Sequence, residues 1–179
     1  MDAFEDLVAR LLRREHYWTL QNFKVELSKA EKVEVGKPSL PRPDIDILAY
    51  QPVGNRVLWV ECKSYLDSGG VHMSAFNGAN PKFRERFRVF TDGTYRRVVT
   101  DALIRQLVAS ELVRPQPTIE YWLVAGRIAS GQAAALSEHF EANGWTLRDR
   151  SWIRQTLALL AGDGYEDDVV TMAAKLLAD

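Results

Sequence analysis

Two aspartates, a glutamate and a lysine interrupt the apolar runs of the stretch PDIDILAYQPVGNRVLWVECKSY, which runs from Pro43 to Tyr65. Asp44 and Asp46 interrupt one apolar run, and Glu61 and Lys63 interrupt the next. Three carboxylates brought to one place repel one another, and one ammonium does not offset them. A divalent cation does. Carboxylate oxygens, with waters in the remaining positions, describe a Mg2+ site.

Strand geometry decides whether these side chains meet. Residues two apart on a strand share a face. Asp44, Asp46, Leu48 and Tyr50 therefore point one way, and Ile45, Ile47 and Ala49 the other. On the second run Val57, Trp59, Glu61 and Lys63 share a face, and Leu58, Val60 and Cys62 share the opposite one. A hairpin turning between Val53 and Gly54 sets Ala49 against Leu58, Ile47 against Val60 and Ile45 against Cys62, a wholly apolar face. On its other face Tyr50 meets Val57, Leu48 meets Trp59, Asp46 meets Glu61 and Asp44 meets Lys63. A slip of one residue would mix the faces, so this register is favoured. It places the Cβ atoms of Asp46 and Glu61 ~5 Å apart. Lys63 lies ~6.6 Å further along the strand.

Other elements must hold this hairpin. Phe4, Leu7, Val8, Leu11 and Leu12 recur at helical spacing and predict an amphipathic helix from Asp2 to about Glu15. Phe23, Val25 and Leu27 alternate with polar residues and predict a half-buried strand. A short strand is read at Lys32–Val35, before a proline-rich loop. Residues 66–97 show weak periodicity, and a long segment of that kind inside a compact domain tends to be functional. A helix is predicted from Val98 to about Val113, a buried strand at 118–126, and a helix from Ser130 to Asn143 ended by Gly144. A short strand at WTLRD and helices at Ser151–Ala161 and Glu166–Ala178 close the chain. The order implies an α/β fold, a mixed central sheet flanked by helices.

A chain of 179 residues fits one domain, 1–179, with a sizeable core. The net charge of -1 argues against a polybasic protein, so any nucleic-acid surface must be a local patch. The single cysteine, Cys62, rules out an internal disulfide framework and a CxxC zinc site. The acidic start Met1-Asp2-Ala3-Phe4-Glu5 lacks the basic region of a secretory signal, and no apolar run approaches the ~20 residues that span a bilayer. The expectation is a cytoplasmic protein without a membrane partner.

Pro43-Asp44-Ile45-Asp46 followed by Glu61-Cys62-Lys63 resembles the signature of the PD-(D/E)xK nuclease superfamily, which includes restriction endonucleases and Holliday junction resolvases. The resemblance covers about residues 4–126 and leaves 127–179 as a helical elaboration. It implies a restriction endonuclease-like αβββαβ core and metal-dependent hydrolysis of phosphodiesters, with DNA as the foremost substrate. It implies that the carboxylates of Asp46 and Glu61 and the backbone carbonyl of Cys62 hold Mg2+, with Mn2+ as a substitute. Lys63 would orient or activate the attacking water and stabilise charge on the phosphate. Asp46 is preferred over Asp44 because DILAY followed by LWVECKSY is similar to the cadence of resolvase-like members, and because the register sets Asp46 against Glu61. Asp44, Glu5 on the first helix and Gln106 on the helix after the lysine strand are further candidates. A nuclease-like fold used only for nucleic-acid binding, or as an interaction subunit, is the alternative. A homodimer would suit cleavage of two strands, but no segment demonstrates an interface.

A contact surface for nucleic acid is read in PKFRERFRVFTDGTYRR, which holds Lys82, Arg84, Arg86, Arg88, Arg96 and Arg97 among aromatic residues. At strand spacing Arg84, Arg86 and Arg88 share a face that could meet phosphates, with exposed aromatics stacking on bases. VEVGKPS is not a P-loop, because Glu31 replaces the first glycine and Pro38 the final Ser or Thr.

Overall fold

The computed structural model describes residues 2–39, 41–80, 83, 85–164 and 166–178. Five strands, β1 (Trp18–Lys24), β2 (Asp44–Gln51), β3 (Arg56–Lys63), β4 (Thr118–Ala125) and β5 (Thr146–Arg148), form one sheet in that order. The β1–β2 and β2–β3 pairs are antiparallel, and the β3–β4 and β4–β5 pairs are parallel. The α-helices among the described residues are α1 (Ala3–Arg14), α2 (Lys29–Glu34), α3 (Arg88–Thr91), α4 (Gly93–Ala109), α5 (Ala133–Ala142), α6 (Arg150–Ala161) and α7 (Val169–Leu176). None is long and apolar enough to cross a membrane.

Helices cover both faces of the sheet. Phe4, Val8, Leu11 and Leu12 of α1, with Ile153 and Leu160 of α6, pack on Ile47, Ala49, Leu58, Val60 and Val124. On the other face Val99, Leu103 and Leu107 of α4 and Phe140 of α5 pack on Leu48, Val57, Trp59 and Leu123. This is the expected α/β mixed sheet. The hairpin register is also as expected over Tyr50↔Val57, Ala49↔Leu58, Leu48↔Trp59 and Ile47↔Val60.

Beyond Ile47 and Val60 the two central strands part company. β2 continues to pair with β1 through Phe23↔Ile45 and Lys24↔Asp44, and β3 with β4 through Glu61↔Leu123, Cys62↔Val124 and Lys63↔Ala125. The sheet therefore forks. Between Gln21↔Ile47 and Phe23↔Ile45, Asn22 takes the left-handed region at φ 53°. Such a residue breaks the regular pleat of the strand pair. Ile45 then joins the core on the opposite face from Ile47 and Ala49, so the single apolar face expected from alternation ends at Ile47.

Four local expectations are corrected. Lys32–Val35 lies mostly within helix α2, not a strand. Ser28 and Glu31 form a capping box, with Ser28 Oγ accepting from Glu31 N and Glu31 Oε2 accepting from Ser28 N at 2.8 Å. β1 begins at Trp18 rather than near Phe23, and its exposed Trp18 and Leu20 hide the inside–outside alternation. Helix α4 begins at Gly93 rather than Val98, because the Asp92 side chain caps it by accepting from Tyr95 N at 3.0 Å. Residues 85–91, read at strand spacing, form a 3-10 turn followed by α3. There Phe87 and Phe90 turn inward, and Phe76 and Phe140 meet them at ring distances of 4.8 Å and 5.0 Å.

The C-terminal helices are tied to α1 by charge. Arg10 Nε donates to Asp168 Oδ2 at 2.9 Å and Arg14 donates twice to Asp163. Asp168 also caps α7 through Thr171 N at 3.0 Å and Thr171 Oγ1 at 2.6 Å. Burial alone would raise the Asp168 pKa, but the Thr171 bonds and Arg10 hold it at about 2, below its ordinary 3.8. A depressed carboxylate pKa gives stability that is present above the unfolded value and is lost as pH falls through the folded one. Asp168→Ala should destabilise the protein by about 1–2 kcal/mol at pH 7, the usual loss for an N-cap. Its deficit relative to wild type should shrink from pH 4 downward and disappear as pH falls through about 2, which denaturant melts across pH would read.

Candidate active site

The site is built around the backbone of Cys62. On one side of Cys62, strand β3 remains paired with β4, and Lys63 O accepts from Gly126 N at 2.9 Å. On the other side, past the fork, the N–H and C=O of Cys62 have no partner strand. Side chains take their place. Cys62 N donates to Asp46 Oδ2 at 2.7 Å, and Cys62 O accepts from Lys63 Nζ at 2.9 Å. Buried backbone groups without partners are costly, so the fork itself demands an acceptor and a donor here.

Lys63 Nζ completes the cluster. It also donates to Asp46 Oδ2 at 3.3 Å and lies 3.5 Å from Glu61 Oε2. Two carboxylate oxygens and one carbonyl oxygen thus surround a single ammonium. Asp46, Glu61 and Lys63 are 22, 15 and 20 % exposed at the side chain, shielded yet reachable. The second Glu61 oxygen, Oε1, accepts from Trp59 Nε1 at 3.0 Å.

The electrostatics follow from burial and crowding. Burial, then the Asp46 charge, raises the Glu61 pKa to about 7 against the opposing pull of Lys63 and the Trp59 hydrogen bond. For Lys63 burial disfavours the charge, but Glu61 and Asp46 together outweigh it and hold the ammonium pKa above its ordinary value. Burial, then Asp46, pushes the Cys62 thiol well up, so it stays protonated and the residue presents only its backbone to the site. Tyr95, on α4, is pushed up to about 12 by burial and by the Glu61 charge.

Glu5, on α1, belongs to the same field. Burial, then Asp46, raises its pKa, and Lys63 opposes the rise. Asp44 does not. Its carboxylate pairs with Lys24 of β1, half exposed, rather than with Lys63 as the extended register implies. Gln106 does not reach the cluster either: its amide accepts from Glu26 N at 3.0 Å and donates to Lys24 O at 3.1 Å, fastening the chain after β1 to α4.

Two members of the basic stripe, Arg88 and Arg96, turn inward, while Arg86 and Arg97 stay exposed. Arg88 donates to Val35 O at 2.7 Å, pairs with Asp92 and lies 4.3 Å from the Tyr95 ring centre. Arg96 donates to Val89 O and stacks on Trp145. Arg97 pairs with Glu34, and exposed Arg86 lies over Phe83. Phe87, Phe90 and Tyr95 are buried rather than offered for base stacking. Lys82 and Arg84 lie outside the described residues.

Among the described residues, no group of three or more histidine, cysteine, aspartate or glutamate side chains is gathered to hold a metal ion. The donors that do converge are Asp46 Oδ2, Glu61 Oε2 and Cys62 O, all hard oxygens already grouped around a cation. Two carboxylates and a carbonyl, completed by water, suit Mg2+, which gives up its waters reluctantly.

Two contributors were not singled out as site residues from sequence. Trp59 stands two residues before Glu61 on one strand face, and that spacing is the signal for their contact. Gly126 follows β4, and a Cβ there would stand 2.4 Å from Ser64 O, so the backbone just past Lys63 can approach only glycine. No family model matches the chain, and no curated protein or solved structure matches it, so the chemistry of the site is argued from its own geometry.

Proposed function

We propose that this chain is a Mg2+-dependent nuclease of the PD-(D/E)xK type that hydrolyses phosphodiester bonds, with DNA as its substrate. The observation that carries the reading is the convergence of Asp46 Oδ2, Glu61 Oε2 and Cys62 O on Lys63 Nζ at the fork of the sheet. The order helix, three strands, helix, strand over α1 to β4, with the short inserted helices α2 and α3 set aside, agrees with the αβββαβ core expected of that family and supports the reading.

Asp46, Glu61 and the Cys62 carbonyl would hold the ion. Bound Mg2+ supplies Lewis acidity toward the phosphoryl oxygen and lowers the pKa of its water. The remaining work falls to the chain. Asp46 keeps its place by accepting from Cys62 N, so it needs little reorganisation to serve as a ligand. Lys63 brings an ammonium to the same spot, suited to orient a water and to stabilise charge on the phosphate. Glu5 adds a third carboxylate from α1 at longer range.

The test is cleavage of single-stranded, duplex and branched DNA with Mg2+ or Mn2+. Lys63→Met, Asp46→Asn and Glu61→Gln should each lower the rate by about 100-fold or more, the loss typical of removing one preorganised stabilising group. Asp44→Asn should leave cleavage near the wild-type rate, because its exposed pair with Lys24 contributes only about 0–1 kcal/mol. Cleavage that survives both Asp46→Asn and Lys63→Met would reject the site.

A second measurement needs no substrate. Mn2+ at ~100 times its Kd should stabilise the wild type by about 2.7 kcal/mol, and Asp46→Asn should remove most of that gain. DNA binding without cation-dependent stabilisation or cleavage would favour a nuclease-like binding subunit.

A further inference from the structure

The indole of Trp59 touches the site through Glu61 alone. Its ring is 1 % exposed, packed 6.1 Å from the Tyr121 ring across the β3–β4 pair. Tyr121 is fixed in turn by a 2.8 Å hydrogen bond between its hydroxyl and Thr100 Oγ1 on α4. The Trp59 N–H therefore has a set position. It is directed at Glu61 Oε1, 3.0 Å away, while Glu61 Oε2 faces the Lys63 ammonium.

We infer that Trp59 is a positioning residue that holds the Glu61 carboxylate so that it offers one oxygen, Oε2, to a cation, and so favours a small octahedral ion over Ca2+. This rests on the metal-dependent reading above. An indole N–H has no acceptor capacity and can only donate, so a carboxylate oxygen is its natural partner in this core. Bringing both Glu61 oxygens onto one cation would draw Oε1 away from that donor. Ca2+ gains most from bidentate carboxylates and high coordination numbers, whereas Mg2+ and Mn2+ are served by single oxygens and water. Partners that orient a ligand in this way commonly govern metal affinity by 10- to 100-fold, on the order of what a direct ligand's neighbour can do.

The experiment is calorimetric titration of Mn2+ and of Ca2+ into wild type, Trp59→Phe and Tyr121→Leu, with thermal melts of each. Trp59→Phe keeps an aromatic ring in the core, smaller than the indole, and removes the donor; the thermal melts read the loss of packing separately. Tyr121→Leu removes packing on Trp59 and leaves the donor. The expected result is a fall of about 10-fold in the Mn2+ over Ca2+ preference for Trp59→Phe. Tyr121→Leu should be destabilised with its preference unchanged. A wild-type preference in Trp59→Phe, or an equal change in Tyr121→Leu, overturns the role of Trp59 while leaving the nuclease reading intact. A wild type that binds neither ion removes the metal reading itself, and this inference with it. A metal-free spectrum gives an independent readout. The Trp59 indole resonance, identified by its loss in Trp59→Phe, should move in Glu61→Gln while the other four tryptophans stay. A stationary Trp59 signal overturns the proposed contact.

Discussion

The backbone of Cys62 sets the terms for everything around it. A residue in a central strand normally gives its N–H and C=O to a neighbouring strand. Here β2 has turned away by that point, and Cys62 would be left with two unmet groups inside the protein. Asp46 answers the N–H and Lys63 answers the C=O. Leaving such a group unsatisfied costs roughly 1–3 kcal/mol. The two side chains are thus held in place by the folding of the sheet, before any ligand is considered. A charged cluster placed where the backbone requires partners is preorganised by the same interactions that stabilise the fold.

The fork is itself secured from both sides. On one branch, Lys24 and Asp44 pair across β1 and β2, and Gln106 fastens the chain just beyond β1 to α4. On the other branch, β3 remains zipped to β4 as far as Lys63, and Gly126 allows the two chains to approach closely immediately afterwards. Asn22, in its left-handed conformation, marks where the first branch bends. Beneath both, α4 is anchored by Arg88 and Arg96, whose guanidinium groups reach carbonyl oxygens and aromatic rings. These arginines matter to the site because they fix the helix whose Tyr95 lies in the field of Glu61.

How much of this the sequence discloses depends on the range of the interaction. The register of the hairpin was legible because four pairs of apolar residues leave only one arrangement that buries them together. The choice of Asp46 over Asp44 leaned on an Asp46–Glu61 pair that does not form, so the register was legible only as far as Ile47↔Val60. The fork was not, since strand alternation carries no information about where two strands stop pairing, and the same rule wrongly carried Ile45 onto the face of Ile47. Alternation also misled at Lys32–Val35, where the stronger local signal was the Ser28–Glu31 capping box. The arginines between 84 and 97 illustrate a different limit. Composition counts charge, but only packing tells whether a guanidinium faces water or, like Arg88, a buried carbonyl.

That last point bears on how an anionic substrate could approach. Arg88 and Arg96 turn inward, so their guanidinium groups are engaged by carbonyl oxygens and aromatic rings rather than offered to an anion. Asp46 and Glu61, when ionised, exceed the single ammonium of Lys63 by one negative charge, and Glu5 adds to the imbalance. A phosphodiester would be repelled by such a site at the short distances where charges interact strongly. On the proposed reading a divalent ion reverses the sign, turning a surplus of one negative charge among Asp46, Glu61 and Lys63 into a surplus of one positive. Burial first, and the Asp46 charge second, raise the Glu61 pKa to about 7 in the metal-free protein. Lys63 then has two successive tasks, as counter-ion to the carboxylates in the metal-free protein and as a partner for phosphate once the ion has taken over the first. The two tasks would need two positions of the ammonium, because an ion held by Asp46 Oδ2, Glu61 Oε2 and Cys62 O would stand where Lys63 Nζ stands in the metal-free protein.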